Sequence, residues 1–441
     1  MQGVTSIVPV PADLLRRRAT HVETIPARPG RPVAWPSWAH PELVTTLRAA
    51  GIERPWAHQA SAADLAHDGQ HVVLATGTAS GKSLGYQLPA LSRLLTDDRA
   101  TVLYLSPTKA LAADQLRAVD ALRLPGVRAA GYDGDTMREE REWVRQHARF
   151  VFTNPDMLHH AMLPGHARWT RMLRRLAYVV VDECHAYRGV FGSHVAHVLR
   201  RLRRLAARYG ASPTFVLASA TSGDPAESAS RLTGLPVTAV TEDASPRGAL
   251  TFALWEPPLV EDDPEPGRSQ VRRSALAETA DLLTDAVAHG TRTLAFVRSR
   301  KGAEVVASMA RRALDETVPG LGERVAAYRG GYLREDRRRI EQALHSGELL
   351  GLASTNALEL GVDLVGLDAV LICGYPGTRA SLWQQAGRAG RAGGDALAVL
   401  IARDDPLDRY VVHHPSSVFG RPVEATVLDP ANPYVLGPQL C

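Results

Sequence analysis

Eight consecutive residues, Thr76-Gly-Thr-Ala-Ser-Gly-Lys-Ser83, have the composition and spacing of a phosphate cradle. They follow the apolar run His71-Val-Val-Leu-Ala75 and lead into Leu84-Gly-Tyr-Gln-Leu-Pro89, so a strand, a loop and a helix start are expected in succession. The small residues Thr76, Gly77, Thr78, Ala79, Ser80 and Gly81 let backbone N–H groups wrap a β-phosphate, and the helix start adds partial positive charge. Lys82 would reach the β- and γ-phosphates, and Ser83 would hold Mg²⁺. One position departs from the strict pattern, with Thr76 where glycine is usual. Further on, the apolar run Tyr178-Val-Val-Val181 ends in two adjacent carboxylates, Asp182 and Glu183. A metal-binding acid beside a water-activating acid is the partner that an ATP-hydrolysing loop requires. ATP and Mg²⁺ are the cofactors these residues imply.

Two further sets of side chains fit that chemistry. Gln59 lies just upstream of the loop, and an amide that both donates and accepts can read an adenine edge. It reads equally as a surface helix residue. Near the other end, Ser381-Leu-Trp-Gln-Gln-Ala-Gly-Arg-Ala-Gly-Arg391 places Arg388 and Arg391 three apart, on one face if helical. Such a pair can stabilise charge on a γ-phosphate as an arginine finger does, the alternative being a solvated basic helix end.

The elements that must position these groups alternate. Apolar or β-branched runs at 71–76, 101–106, 150–153, 178–182 and 214–219 are separated by helical patterns, the signature of a parallel sheet covered on both faces. Each leads at its carboxyl end, where such sheets bind ligands, into a polar turn: Ser106-Pro-Thr-Lys109, Thr153-Asn-Pro-Asp156, Asp182-Glu183 or Ser219-Ala-Thr221. A second alternation follows, with strands at 250–255, 292–297, 325–328, 351–354, 369–373 and 396–401 and helices at 275–289, 301–316 and 333–346. It has no Gly-Lys-Ser loop of its own, which suggests one ATP site shared across a cleft. The expected organisation is an N-terminal extension (1–50) packed on the first domain, a first domain (51–245), a second domain (246–411) with a flexible Pro-rich acidic loop at 256–273, and a C-terminal tail (412–441) without helical period. The arginine-rich stretch His197–Arg208 reads as a solvated amphipathic helix, with Leu199, Leu202 and Leu205 inward, rather than as a nucleic-acid contact.

Bulk composition bounds the class. The 441 residues are 45% hydrophobic and 22% charged, as in a globular protein of two domains, and the net charge is +4. No apolar run approaches the ~18 residues that would span a bilayer. The N-terminus lacks a secretory pattern, and Cys184, Cys373 and Cys441 have no paired spacing. A cytoplasmic home is expected. Of the 51 basic residues only Lys82, Lys109 and Lys301 are lysines, and all three fall in or beside the motifs.

Taken in order, the motifs resemble those of the superfamily 2 helicases over roughly residues 50–405: a glutamine motif at Gln59, then motif I at 76–83, Ia at 106–115, Ib at 153–156, II at 182–185, III at 219–221, IV at 296–300, V at 354–363 and VI at 384–391. Asp182-Glu-Cys-His185 is similar to the DExH side of that superfamily. Pro55-Trp-Ala-His-Gln59, Ser245-Pro-Arg-Gly248, Phe296-Val-Arg-Ser-Arg-Lys301, Tyr328-Arg-Gly-Gly-Tyr332 and Thr355-Asn-Ala-Leu-Glu-Leu-Gly361 resemble the bacterial MrfA/YprA-type DNA helicases, a group that includes the mycobacterial SftH helicase. The resemblance implies an α/β fold of two tandem RecA-like P-loop domains, each a parallel sheet with helices on both faces. It further implies ATP-driven 3′→5′ movement on single-stranded or tailed DNA, in DNA repair, by a monomer with no membrane association. In roles, it implies that Lys82 and Ser83 hold phosphates and Mg²⁺, that Asp182 holds Mg²⁺ through water, and that Glu183 polarises the attacking water. Gln384, Arg388 and Arg391 complete the catalytic set, Asp363 touches the ribose, His185 pairs with Gln384, and Ser219 and Thr221 link hydrolysis to the DNA track. Pro107, Thr108, Lys109, Thr153, Asn154, Arg298 and Thr355 would contact phosphate and sugar, which carry no sequence information. A DExH RNA remodeler shares nearly all these motifs, and a protein-moving ATPase of the SecA kind also pairs two such domains. Longer members of the group carry a cysteine-rich C-terminal domain, so on this reading residues 1–441 are a core expected to hydrolyse ATP but to unwind duplex poorly.

Overall fold

The computed structural model describes residues 18–260, 271–329, 332, 334–359, 367–390 and 394–440. They form two compact units, one of residues 30–245 and 423–440, the other of residues 18–29 and 246–422. Strand β1 (Ala19–Ile25) opens the described chain. It is followed by β2 (Val72–Ala75), β3 (Thr101–Leu105), β4 (Ala129–Gly131), β5 (Phe150–Thr153), β6 (Leu176–Val181), β7 (Thr214–Ser219) and β8 (Thr238–Val240). Next come β9 (Leu250–Trp255), β10 (Thr293–Phe296), β11 (Val325–Tyr328), β12 (Gly351–Ser354), β13 (Ala369–Cys373) and β14 (Ala396–Ile401).

In the first unit seven parallel strands run in the order β4-β5-β3-β6-β7-β2-β8. Their continuous apolar character follows from burial on both faces. Val73 and Ala75 of β2 face one core, with Trp169, Val195 and Leu199, while Val72 and Leu74 face the other, with Leu43, Leu88 and Leu91. Each such side chain, fully buried, is worth about 1.5–3 kcal/mol. Register aligns the strand ends: Ala75 pairs with Ser219, Leu105 with Val181, and Val181 with Leu217. The turns after β2, β3, β6 and β7 therefore emerge on one rim.

The second unit orders its strands β1-β9-β14-β13-β10-β12-β11, parallel except at β1. Here the structure departs from the expected N-terminal extension. Residues 19–25 do not pack on the first domain but add an antiparallel edge strand to the second sheet, pairing Ile25 with Leu250 and Val22 with Ala253. The Thr20 hydroxyl donates to the Val412 carbonyl at 2.7 Å. The flanks of the expected loop 256–273 are paired, with the Val260 N–H donating to Val271 O and Arg273 N–H to Pro258 O, each at 2.9 Å. Residues 261–270 lie outside the described residues. The tail is not without helix either: Pro433–Leu440 is helical, and residues 423–440 belong to the first unit. In helix Gly189–Arg208, Leu199 and Leu202 are buried as expected, while Arg200 and Arg203 are half-buried rather than fully solvated. They donate to the Arg231, Leu232, Thr233 and Gly234 carbonyls, which closes the end of helix Pro225–Thr233.

Candidate ATP site and nucleic-acid rim

The loop after β2 is held from both sides. Thr76 and Ser80 hydroxyls bond each other at 2.7 Å, and Ala79 and Gly81 adopt positive φ of 62° and 75°. At Gly81 a side chain could not fit, because its Cβ would fall 2.5 Å from the Gln59 amide nitrogen. Gln59, only 4% exposed, accepts from the Trp56 N–H at 2.8 Å and donates to Gly81 O at 2.8 Å. In this structure its amide is a clamp on the loop backbone, both ends committed to protein. Its neighbour His58 does the same work, and sequence reasoning missed it. His58 Nδ1 accepts from the Ala244 N–H at 3.1 Å, so the proton sits on Nε2 and is donated to Ser80 O at 3.0 Å. Lys82 rests on the Gly77 and Thr76 carbonyls at 2.8 and 3.2 Å. Those partners are neutral, so its charge remains for phosphate oxygens. Gly77 and half-buried Thr78 complete the wall, and Ser83 opens helix Ser83–Thr96.

Asp182 is buried at the end of β6. Its Oδ2 accepts from the Tyr104 hydroxyl at 2.6 Å and lies 3.1 Å from that of Tyr86, while Oδ1 accepts from the Glu183 N–H at 2.9 Å. The Tyr86 proton is shared with Gln115 at 2.9 Å, leaving Tyr104 the dedicated donor. Burial first, then the neighbouring Glu183, pushes the Asp182 carboxyl up to about 6. A buried acid under that stress, with the Ser83 hydroxyl on the same rim, is a hard-oxygen donor set that suits Mg²⁺. Glu183 takes left-handed backbone angles (φ 47°, ψ 44°), at a cost of about 1–2 kcal/mol. His185 is neutral: burial pushes it down to about 4, and Nδ1 accepts from the Ala220 N–H at 3.1 Å. Its 3.3 Å approach to Glu183 is therefore not an ion pair. Ser219 is buried beside Cys184, whose thiol burial pushes up to about 12, and Thr221 is exposed.

Around the same rim, half-buried Pro107 precedes Thr108, which caps helix Lys109–Ala121 by accepting from the Leu111 N–H. Lys109 is exposed and pairs with Asp135 at 3.0 Å. Asn154 caps its own turn by accepting from the Met157 N–H. Thr153 corrects the expectation: it is 1% exposed and donates to Tyr132 O at 2.6 Å, so its side chain cannot reach a phosphate.

In the second unit Arg298 is exposed, and Thr355 accepts from the Ala357 N–H at 3.5 Å. Helix Arg379–Ala386 carries buried Gln384 and stops at Gly387, while Gly390 has φ 79°. Arg388 thus lies past the end of this helix. Arg388, 4% exposed, donates to Glu359 O. Glu359, which sequence reasoning did not single out, also accepts from Ser381 at 2.6 Å and Gln385 at 3.0 Å, tying the segment after β12 to this helix. Asp363 and Arg391 lie outside the described residues.

Two RecA-like α/β units, the first with a phosphate loop and an adjacent acid pair on one rim, define a helicase-type P-loop protein. The DEAD/DEAH box helicase family matches residues 56–229 and the helicase conserved C-terminal domain residues 275–393. The chain belongs to the superfamily 2 helicases, in the MrfA/YprA-like group. It is 41% identical over 398 residues to the Bacillus subtilis uncharacterized ATP-dependent helicase YprA, covering 89% of this chain and 52% of that protein. To the ATP-dependent helicase HRQ1 of Saccharomyces cerevisiae it is 42% identical over 407 residues, covering 90% and 37%. The crystal structure of the DUF1998 helicase MrfA bound to DNA superposes with a TM-score of 0.91 at 38% identity, covering 98% of this chain and 61% of that one. The chain thus spans about half or less of the curated relatives it matches.

Proposed function

We propose that this chain is the motor of an ATP-dependent DNA helicase or translocase, moving 3′→5′ on single-stranded or tailed DNA in DNA repair. The observation that carries the reading is the single rim on which Lys82, Ser83, Asp182 and Glu183 emerge from register-aligned strands. The MrfA structures bound to DNA, and to DNA and AMPPNP, support DNA and ATP as its ligands. Among the described residues no helix is long and apolar enough to cross a membrane. A cytoplasmic monomer fits this reading.

In the proposed mechanism, the loop 76–83 cradles the phosphates and Lys82 exchanges two neutral carbonyls for phosphate oxygens. Ser83 and Asp182 would hold Mg²⁺, which neutralises charge on the β- and γ-oxygens when bound. Tyr104 keeps the Asp182 carboxylate aimed. Glu183, set by its strained backbone, takes the proton of the attacking water. Gln384, Arg388 and Arg391 act on the charge of the transferred phosphoryl group, and Asp363 on the ribose. Gln59 positions adenine through the loop it clamps. His185, neutral with its proton on Nε2, donates rather than accepts, and with Ser219 and Thr221 relays hydrolysis to the DNA contacts. Those contacts are Pro107, Thr108, Lys109, the Asn154 turn, Arg298 and Thr355. Thr153 enters only as a support of that surface.

The test is ATP hydrolysis with and without single-stranded DNA, alongside matched RNA. Turnover stimulated by DNA, kept binding but lost turnover in Glu183→Gln, and weakened nucleotide binding in Lys82→Ala are expected. Equal stimulation by RNA would replace DNA with nucleic acid in general. Near-normal turnover in Glu183→Gln would refute the assigned base.

A further inference from the structure

Away from the phosphate loop, the first unit carries an open depression lined by Arg141, Arg145, Arg168 and His160, with Tyr132 and Trp169 among its walls. None of its lining residues is acidic. The aromatic pair is rigid: Trp169 is buried and meets the Tyr132 ring edge-on, with centroids 4.8 Å apart. Arg141 is fixed over the Tyr132 ring at 5.8 Å and donates to the Thr136 and Asp133 carbonyls at 2.9 and 3.2 Å. Carbonyls orient a guanidinium without neutralising it. Arg168 folds back over Gly165, where a Cβ would come within 2.9 Å of its Nη2. The side chains of Arg145 and Arg168 make no hydrogen bond or ion pair among the described residues.

Several cations gathered round one concavity with no carboxylate repel each other unless an anion joins them. Guanidinium groups match phosphate oxygens in geometry as well as charge. The position selects the kind of phosphate. Tyr132 O receives the Thr153 hydroxyl at 2.6 Å, and the Asp133–Thr136 turn that Arg141 grips carries Asp135, the partner of Lys109 at 3.0 Å. The depression therefore continues the surface of Lys109 and Asn154, along which a strand is proposed to lie.

We propose that this depression binds backbone phosphates of the nucleic-acid strand, a contact outside the helicase motifs. It rests on the DNA reading of the rim. Arg141 is the fixed member, and Arg145 and Arg168 close on the strand as it arrives. Because phosphate carries no base identity, the contact adds affinity and salt dependence without sequence preference.

The experiment uses the whole chain and the double variant Arg145→Ala/Arg168→Ala, with binding of a fluorescent oligonucleotide followed across salt concentrations. The plot of log affinity against log salt should lose about one to two units of slope, since each phosphate contact on a single strand contributes ~0.7. Hydrolysis without DNA and the melting temperature should be unchanged. Unaltered affinity and slope in a variant whose parent binds DNA would overturn the proposal. A parent that binds no DNA would instead overturn the DNA reading. Pyrophosphate bound by the parent and lost in the variant, with DNA binding intact, would put a small free anion there and also overturn it.

Discussion

Residues 423–430 give the sharpest test of how the first unit is built. Leu428 is 3% exposed and packs into the core that holds Val73, Cys184, Ala229 and Leu232. The backbone around it is pinned: Gly189 N–H donates to Val427 O at 2.7 Å, Asp429 N–H to the Ser193 hydroxyl at 3.0 Å, and His197 Nε2 to Pro430 O at 2.8 Å. Leu428→Ala would leave a void the segment cannot move to fill, so the cost belongs in the middle to upper part of the range for such truncations, about 3–4 kcal/mol. For a unit of this size that is roughly 6–16 °C in the melting transition. Cys184, His185 and Ser219 line the same small cavity as Leu428, so the void opens behind the acid pair rather than behind the phosphate loop. Thermal melting, nucleotide binding and steady-state hydrolysis should show a lower transition and lower kcat with nucleotide affinity kept. Gly223→Ala, whose Cβ would fall 2.5 Å from Val423 O, should act alike. Tyr434→Ala, in the helix that follows this segment and 89% exposed, should do nothing. A Leu428→Ala transition within about 2 °C of the parent would refute the packing argument, because the truncation cost would then be under about 1 kcal/mol.

Four further outcomes follow from single residues. Lys109→Ala should weaken DNA binding and reduce its salt slope by ~0.7, whereas Thr153→Ala should cost about 1 kcal/mol of stability and leave DNA affinity alone, both read by titration and melting. His71 has its pKa lowered by burial and then by Arg203, and its Nδ1 accepts from the Phe215 N–H at 3.1 Å. Its neutral form is the folded form, so its contribution is present above the unfolded value near 6.5 and is lost as pH falls from there through the lower folded value. His71→Asn, which keeps an acceptor but does not titrate, should flatten the melting temperature against pH in that window. Arg391→Ala should slow hydrolysis by roughly 10³–10⁵ with little change in ATP affinity, and an ordinary rate would remove it from the catalytic set.

The sheets were legible because strands buried on both faces read as unbroken apolar runs: Thr101–Leu105, Phe150–Thr153, Ala369–Cys373 and Ala396–Ile401 stand out against their flanks. The edge strand Ala19–Ile25 was not legible, since its alternating half-buried residues resemble any exposed segment and its partner β9 lies more than two hundred residues away. Arg388 misled for a local reason. Its spacing suggested a continuing helix, but the helix ends at Gly387, one residue before it. Thr153 misled because a hydroxyl at a strand's carboxyl end looks like a ligand group. Its orientation depends on Tyr132, which no local pattern reveals.

His58 shows why the phosphate loop cannot be understood from its own eight residues. Within the loop, with its positive φ at Ala79 and Gly81, the Thr76–Ser80 hydroxyl bond and the contacts of Lys82 hold part of the shape. The rest comes from one helix, Ala57–His67, whose first turn presents His58 and Gln59 to the Ser80 and Gly81 carbonyls. Gln59 finds its second partner within its own helix, at Trp56 N–H. His58 finds it at Ala244, two residues before the chain passes into the second unit at Pro246. A neutral imidazole has one proton, so the Ala244 N–H donating to Nδ1 keeps that proton on Nε2, where it is given to Ser80 O. A shift of residues 243–245 that breaks the second bond removes the donor that fixes the ring's tautomer and orientation, which weakens the grip on the loop. Through this one side chain, the conformation of the linking segment and that of the phosphate cradle are set together.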